Sequence, residues 1–196
     1  IFNNESNILE IIIRSKTESR NLITEAMIIF NNLVARYCRD KNIVIPFRNQ
    51  AISQHKYTKE QNIHNHIYNF YLKQSLHRSV LELKPKSHCS LGLNCYTYAT
   101  SPIRRYIDFL VHHQLLLYLK KQKQLTREYI LTKISIYNNK YNNNLEISRS
   151  IKRDHEFKWF SNEDKSSYET LFMRWLNKKN KKALLFFEYI SMDIVC

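Results

Sequence analysis

Glycine and proline are nearly absent from this chain, which contains one glycine and three prolines among its 196 residues. These two residues interrupt helices and form many tight turns. Their scarcity leaves long uninterrupted segments, and apolar residues recur at helical spacing over residues 18–38, 102–120 and 126–160. Short β-branched or alternating apolar runs at residues 9–14 and 183–196 predict strands. The sequence therefore predicts an α+β fold that is mostly helical.

The segment Tyr-Thr-Tyr-Ala-Thr-Ser-Pro-Ile-Arg-Arg-Tyr, residues 96–106, leads into the second predicted helix. Ser101 is a favourable N-cap, and Pro102 suits the first helical position. This start would put Arg104 and Arg105 near N3 and N4, where the helix dipole disfavours each cation by about 0.3–1 kcal/mol. The pattern therefore indicates that another interaction compensates for the two positive charges.

Two kinds of interaction could compensate for them. An anion bound by the free backbone N–H groups and the guanidinium groups would reverse the sign of the penalty, and phosphate suits both donors. Alternatively, the arginines pair with carboxylates such as Asp108, which follows Arg104 by one helical turn. The residues of this segment alone leave both interpretations open.

The Thr-Ser-Pro-Ile-Arg-Arg-Tyr run at residues 100–106 resembles the signature of the ribonuclease II/ribonuclease R (RNB) family of processive 3′-to-5′ exoribonucleases. Residues 83–94 resemble the preceding block of plastid and cyanobacterial-type members, and residues 23–35 resemble the family's Glu-x-Met...Asn...Ala helix. The family's usual Tyr-x-His-Phe before this run is Tyr-Thr-Tyr-Ala here. The three blocks cover roughly residues 15–120, and an ordered match of this length is specific.

The resemblance also implies how the chain is divided. Residues 1–176 would form the C-terminal part of an RNB catalytic domain, and residues 177–196 a basic linker and the beginning of a truncated OB-type RNA-binding domain. The family holds Mg²⁺ with a cluster of aspartates that precedes the Glu-x-Met helix. The five aspartates of this chain are scattered, so no metal ligand is assigned here. An upstream aspartate-bearing segment or chain is therefore an expected partner.

The resemblance assigns roles to individual residues. Arg104 would be catalytic and would contact the scissile phosphate, because a fixed guanidinium stabilises the charge that develops on the nonbridging oxygens. Glu25 would accept a hydrogen bond from a ribose hydroxyl. The alternative for this carboxylate is an ion pair with Arg36 or exposure to solvent. The other RNA-binding residues would be Ser101, Arg105 and Tyr106.

Composition agrees with a polyanionic partner. The formal net charge is +14, and thirteen tyrosines and ten phenylalanines could include stacking faces for unpaired bases. Without the motif, such a chain could equally be a ribosome-associated protein or a membrane-surface binder. With it, the predicted function is binding of single-stranded RNA and its 3′-to-5′ hydrolysis to nucleoside monophosphates, with Mg²⁺ as cofactor. The alternative is a catalytically inactive RNA-binding remnant that lacks the metal-binding aspartates.

Cysteine and histidine usage favours no metal site. The four cysteines include no CxxC pair, which is typical of a reduced intracellular protein. His64 with His66, or His112 with His113, could contribute metal ligands, but ordinary polar roles are favoured because no partner ligand lies at suitable spacing.

The remaining expectations concern location. No apolar run is long enough to cross a bilayer, so no membrane association is predicted. Abundant Ile, Asn, Lys and Tyr are typical of an A+T-rich organelle genome. With the resemblance, this composition predicts a plastid protein; the alternative is a bacterial-type cytoplasm.

Overall fold

The computed structural model describes residues 17–52, 65–162, 167–187 and 192–195. The strand predicted at residues 9–14 lies outside the described residues. The elements are helices α1 (Glu18–Asp40), α2 (Asn65–Ser75), α3 (Tyr106–Leu119) and α4 (Arg127–Asn162), and strands β1 (Phe47–Asn49), β2 (Val80–Glu82), β3 (Leu171–Asn177), β4 (Lys182–Phe187) and β5 (Met192–Val195). The predicted α+β, mostly helical fold is confirmed.

The described residues form two compact units, which lie within Lys16–Asn144 and Leu145–Cys196. The division into an RNB part at residues 1–176 and an OB-type beginning at residues 177–196 stays a prediction. In the described part of the chain, no helix is both long enough and apolar enough to cross a membrane.

Helix α1 begins and ends on side chains that suit its termini. The Thr17 hydroxyl accepts a hydrogen bond from the backbone N–H of Arg20 at 3.4 Å, as an N-cap. At the other end, Asn42 has φ of 55°, and the next N–H, that of Ile43, donates to the Cys38 carbonyl at 2.8 Å. This is a Schellman ending in which asparagine occupies the left-handed position that glycine usually takes.

The buried side of α1 differs from the apolar side that the sequence predicts. The predicted stripe includes Leu22 and Leu33, yet these side chains are 72% and 54% exposed. The α1 residues that are buried inside the first unit are instead Asn31, Ala35 and Cys38. Small side chains allow a close approach there, and the side-chain amides of Asn31 and Asn32 hydrogen-bond the backbone of Ala99 and Cys95. The periodicity located the helix correctly but identified the wrong side as buried.

The core of the first unit lies between α1, β1 and α3. Its buried apolar residues are Ala35, Cys38, Ile43, Ile45, Phe47, Cys95, Ala99 and Val111. Burial raises the pKa of the Cys38 thiol to about 12, so this side chain is neutral and behaves as an apolar residue. A second cluster joins Leu83 and Leu110 to Ile130 and Ile134 of α4.

Strand β1 lies within residues 40–58, where the sequence pattern predicts no strand. It pairs with β2 in antiparallel register, with Arg48 opposite Leu81. Beyond β1, Gln50 forms an isolated bridge with His88. The prediction missed β1 because the strand is only three residues long and its pairing partner is distant in sequence.

A short connection joins helices α3 and α4, and the buried side-chain amide of Gln114 fixes its conformation. Gln114 donates to the Leu125 carbonyl at 3.1 Å and accepts from the Leu125 N–H at 3.0 Å. Helix α3 ends at Leu119; Lys121 follows at φ 54°, and the Gln122 N–H donates to the Leu117 carbonyl at 2.9 Å. The polar segment 137–144 is helical and lies within α4.

The second unit contains an antiparallel sheet in the order β3-β4-β5. Phe160, near the end of α4, packs against Tyr168 and Phe187 with ring centroids 5.4 and 5.6 Å apart. Residues 178–181, within the segment predicted as a basic linker, connect the paired strands β3 and β4, with Lys181 at φ 51°. The turn was not predicted because this lysine-rich segment contains neither of the residues, glycine and proline, that usually indicate one.

Candidate nucleic-acid interface

The Ser101–Arg105 turn differs from the predicted helix start. The N–H groups of Arg104 and Arg105 both donate to the Ser101 carbonyl, at 3.3 and 3.0 Å. Arg105 is then extended, with φ −119° and ψ 116°, and acts as the N-cap residue of α3, which begins at Tyr106. The prediction that Ser101 caps this helix, with the arginines at N3 and N4, is therefore wrong.

Asp108 explains this start. Its side chain is fully buried at the third position of α3, and its Oδ1 accepts the Ser101 N–H at 2.8 Å. The same oxygen accepts from Nη2 of Arg105, also at 2.8 Å. A carboxylate in the first turn also suits the helix dipole. The alternative in which these arginines pair with a carboxylate such as Asp108 is confirmed for Arg105, whose guanidinium turns back to it, and is not found for Arg104 among the described residues.

Arg105 belongs to a cluster centred on Tyr98. Its guanidinium carbon lies 4.5 Å from the Tyr98 ring centroid, and its Nη2 also donates to Thr100 Oγ1 at 3.0 Å. Arg48 of β1 approaches the same ring at 4.5 Å, while its Nε donates to Ser79 Oγ at 2.9 Å. Two guanidinium groups therefore share one aromatic ring, an arrangement in which cation–π attraction supports both.

The cluster around Tyr98 carries a net positive charge. Burial raises the pKa of Tyr98, and the charges of Arg48 and Arg105 oppose that rise. Tyr137 of α4 responds to the same charges, and burial raises its pKa as well. The cluster contains two arginines and one buried carboxylate, Asp108, so it keeps an excess positive charge.

The tip of the turn projects into solvent. Ile103 is 102% exposed, and Arg104 is exposed beside it. Within the described residues, the Arg104 side chain forms neither a hydrogen bond nor an ion pair. The residue predicted to be catalytic thus has a guanidinium that is available to an external anion.

The other predicted RNA-binding residues of this region have mixed settings. Tyr106 is 42% exposed and lies 6.4 Å from the Phe109 ring, which in turn lies 6.0 Å from His113. Burial raises the Tyr106 pKa. Ser101 is half-buried, and its backbone is held by Asp108. The roles of Ser101, Arg105 and Tyr106 in binding RNA stay predictions.

Glu25 is exposed on α1, and among the described residues no ion pair joins it to Arg36. Of the two alternatives for this carboxylate, the ion pair is not found and exposure to solvent is, and its contact with ribose stays a prediction. On the other side of this helix, Asn31 donates to the Tyr96 hydroxyl at 3.0 Å and accepts the Ala99 N–H at 2.8 Å. Helix α1 is thereby tied to the segment that leads into the turn.

Sequence reasoning missed Arg48, Tyr98 and Asn31. Tyr98 carried a signal, since it occupies a place where the sequence departs from the pattern it resembles. Asn31 lies in the block that resembles the family's Glu-x-Met...Asn...Ala helix, but the resemblance assigned no role to this residue. Arg48 carried no signal, because a single arginine outside any recognised motif has no distinguishing pattern.

The described residues do not fit a metal site. Across the part of the chain that the structure describes, no group of three or more His, Cys, Asp or Glu side chains is placed to hold an ion. Asp108 is already engaged with Arg105. His112 hydrogen-bonds the Ala99 carbonyl through Nε2 at 2.6 Å, as an ordinary polar histidine does. The side chains of His64 and His66 lie outside the described residues.

Comparison with known proteins gives consistent relatives. A family model for the RNB domain matches residues 1–121. An uncharacterized ribonuclease of Synechocystis sp. is 24% identical over 191 residues, which cover 95% of this chain and 28% of that protein. Ribonuclease R of Mycoplasma genitalium is 42% identical over 55 residues, or 28% of this chain and 8% of that protein. The chain spans less than a third of the length of these curated relatives.

Solved structures share the fold. Mycoplasma genitalium RNase R in complex with ribose-methylated single-stranded RNA matches with a TM-score of 0.80 at 16% identity, covering 98% of this chain and 36% of that one. An active-site mutant of the Dss1 exoribonuclease from Candida glabrata matches with a TM-score of 0.77 at 20% identity, covering 93% and 25%. At these identities the likeness establishes the architecture alone.

Proposed function

This chain belongs to the RNB family, and from that premise we propose that it forms part of a 3′-to-5′ exoribonuclease that degrades single-stranded RNA to nucleoside monophosphates. The observation that carries the proposal is the exposed guanidinium of Arg104 at the tip of a turn whose ends are fixed by Asp108. A formal net charge of +14 supports a polyanionic substrate.

Arg104 would act on the phosphodiester. As water attacks phosphorus, negative charge grows on the nonbridging oxygens, and a fixed guanidinium stabilises this transition state more than the ground state. Arg105 is positioned differently, because its Nη2 already binds Asp108 and Thr100. We therefore assign the transition-state contact to Arg104 and a supporting role to Arg105. Glu25 and Tyr106 would contribute contacts to ribose and to bases.

Mg²⁺ is the cofactor that the family resemblance implies. Since the described residues do not form a site for it, we assign no catalytic step to a metal ligand of this chain. We propose that carboxylates beyond the described residues, in a neighbouring segment or chain, would hold the ion.

The test compares the complete protein with its Arg104→Ala variant on a 5′-labelled single-stranded oligoribonucleotide in Mg²⁺. Loss of one transition-state donor should lower kcat by about 10²–10³-fold, and Arg104→Lys should recover only part of it because a point charge lacks the fork geometry. Arg39→Ala, at an exposed arginine paired with Asp40, is the matched control and should leave the rate unchanged. Equal rates for Arg104→Ala and wild type would remove Arg104 from catalysis.

The same assay distinguishes the second candidate, a noncatalytic RNA-binding remnant. This alternative is favoured by the lack of a metal site in the described ranges. Salt-sensitive binding of the oligoribonucleotide without release of nucleoside monophosphates would support it. Release of monophosphates would reject it.

We also propose that the protein acts in a plastid, with a bacterial-type cytoplasm as the alternative. The composition rich in Ile, Asn, Lys and Tyr supports an A+T-rich organelle gene. Hybridisation of a gene probe to purified plastid DNA tests this. A signal from nuclear DNA alone would reject a plastid-encoded origin.

A further inference from the structure

We propose that Asp108 is a positioning residue that holds the Ile103–Arg104 tip in the orientation in which Arg104 meets a phosphodiester. The inference rests on the proposed function, since the bound group is RNA phosphate. Asp108 itself is fully buried and touches no solvent, so it acts through the turn and not on the substrate.

Asp108 binds the chain on both sides of Arg104. Oδ1 of Asp108 accepts from the backbone N–H of Ser101, three residues before Arg104, and from the side chain of Arg105, directly after it. Between these two contacts, the Ser101 carbonyl accepts the Arg104 N–H at 3.3 Å. The carboxylate and the carbonyl together close the backbone around Arg104, and its side chain is the part left free.

The charges explain why two successive arginines occur here. A buried carboxylate requires a cation, and Arg105 provides it within 2.8 Å while its side chain remains only 27% exposed. Because Arg105 neutralises Asp108, the charge of Arg104 is not neutralised inside the protein. Arg104 therefore keeps its full charge for an external phosphate. Had Asp108 paired with Arg104, the same sequence would hold the guanidinium away from RNA.

Two buried polar atoms make the Asp108–Arg105 interaction sensitive to substitution. Asp108 Oδ2 and Arg105 Nε are buried without a hydrogen-bond partner among the described residues. The interaction thus depends on the single oxygen Oδ1 and on the carboxylate charge. Asp108→Asn keeps the shape but removes that charge, which loosens the hold on Arg105 and on the turn.

The first test is a double-mutant cycle in the complete protein, with a 5′-labelled oligoribonucleotide and Mg²⁺. Asp108→Asn should lower kcat by about 10–100-fold with little change in KM, because small misplacement of a catalytic group affects the chemical step. In the Arg104→Ala background, Asp108→Asn should change kcat by less than about twofold, since it acts through Arg104. A merely structural role predicts the same fold-loss in both backgrounds, and that result would overturn the proposal.

Asp40→Asn is the matched control, because Asp40 is an exposed aspartate that pairs with an arginine on the surface. It should leave kcat unchanged in both backgrounds. If Asp108→Asn fails to fold, as judged by circular dichroism, Arg105→Lys replaces it in the cycle. That variant keeps the positive charge near Asp108 but loses the guanidinium that reaches both Asp108 and Thr100. It should give the same non-additivity with Arg104→Ala, and additive losses would overturn the proposal.

A second readout needs no enzymatic activity. Trypsin cleaves after Arg104, and the rate reports how often the tip opens locally. Asp108→Asn should raise this rate by at least about fivefold over wild type and Asp40→Asn, as followed by mass spectrometry of the fragment that ends at Arg104. An unchanged rate would overturn the positioning role. If the protein neither binds nor degrades RNA, the proposed function fails, while the trypsin result still decides whether Asp108 holds the tip.

Discussion

Single residues carry the candidate interface, and the sequence identified only some of them. Arg104 could be found because a dense local motif surrounds it. The partner of Asp108 could not, since either arginine lies within reach of a carboxylate one helical turn away. The choice of Arg105 depends on its extended backbone and on the nearby Tyr98 ring, which a linear pattern does not contain.

His88 illustrates a second residue-scale effect. It is 4% exposed, and its pKa is lowered, first by burial and then by the positive charge of Arg48. Below the ordinary histidine pKa of 6.5, the unfolded chain takes up a proton that folded His88 still resists. The resulting contribution to stability is present above pH 6.5 and is lost as the pH falls toward the lowered folded pKa.

We therefore expect the free energy of unfolding to fall less between pH 7.5 and pH 5.5 in His88→Gln than in wild type. Urea denaturation at the two pH values measures this difference. Because the other groups titrate equally in both proteins, an identical pH dependence would contradict the assignment to His88.

At the scale of elements, periodicity predicted the helices well and their packing poorly. Helices α1, α3 and α4 lie close to the predicted segments, because apolar spacing and the lack of breakers determine them locally. The start of α3 at Tyr106 and the buried side of α1 depend on contacts made at long range or by side chains folding back. Three-residue strands such as β1 lack enough residues to show a period.

The scarcity of glycine has a measurable effect on helix ends. Lys121 adopts φ 54° after α3, a conformation that disfavours an L-residue by about 1–2 kcal/mol. Lys121→Gly should raise the free energy of unfolding by about 0.5–1 kcal/mol, because relief of strain exceeds the added entropy of the unfolded chain.

Lys120→Gly is the neighbouring control, since Lys120 has φ −79° and carries no such strain. It should lower the free energy of unfolding by about 0.5–1 kcal/mol through unfolded-state entropy alone. Urea denaturation of both variants checks the pair. A loss of stability in Lys121→Gly equal to that in Lys120→Gly would contradict this account of the turn.

For the whole molecule, charge is the feature that composition predicted most directly. A net charge of +14 should make binding of single-stranded RNA strongly dependent on salt, with the logarithm of affinity falling by about 0.7 per neutralised phosphate for each tenfold rise in salt. For about four neutralised phosphates, raising salt from about 50 to about 200 mM weakens binding about fiftyfold.

Fluorescence anisotropy with a labelled oligoribonucleotide in EDTA measures this slope without turnover. A double-logarithmic plot should be linear. An affinity that does not respond to salt would contradict backbone contact as the main source of binding.

The uncovered side of α1 has a consequence for handling the purified chain. Leu22, Ile29 and Leu33 present aliphatic surface to water, and two copies that meet there would release that water. Mutual repulsion between highly cationic molecules opposes such encounters, and added electrolyte screens it. Dilute, low-salt buffers therefore keep the protein dispersed, whereas concentrating it in high salt promotes self-association.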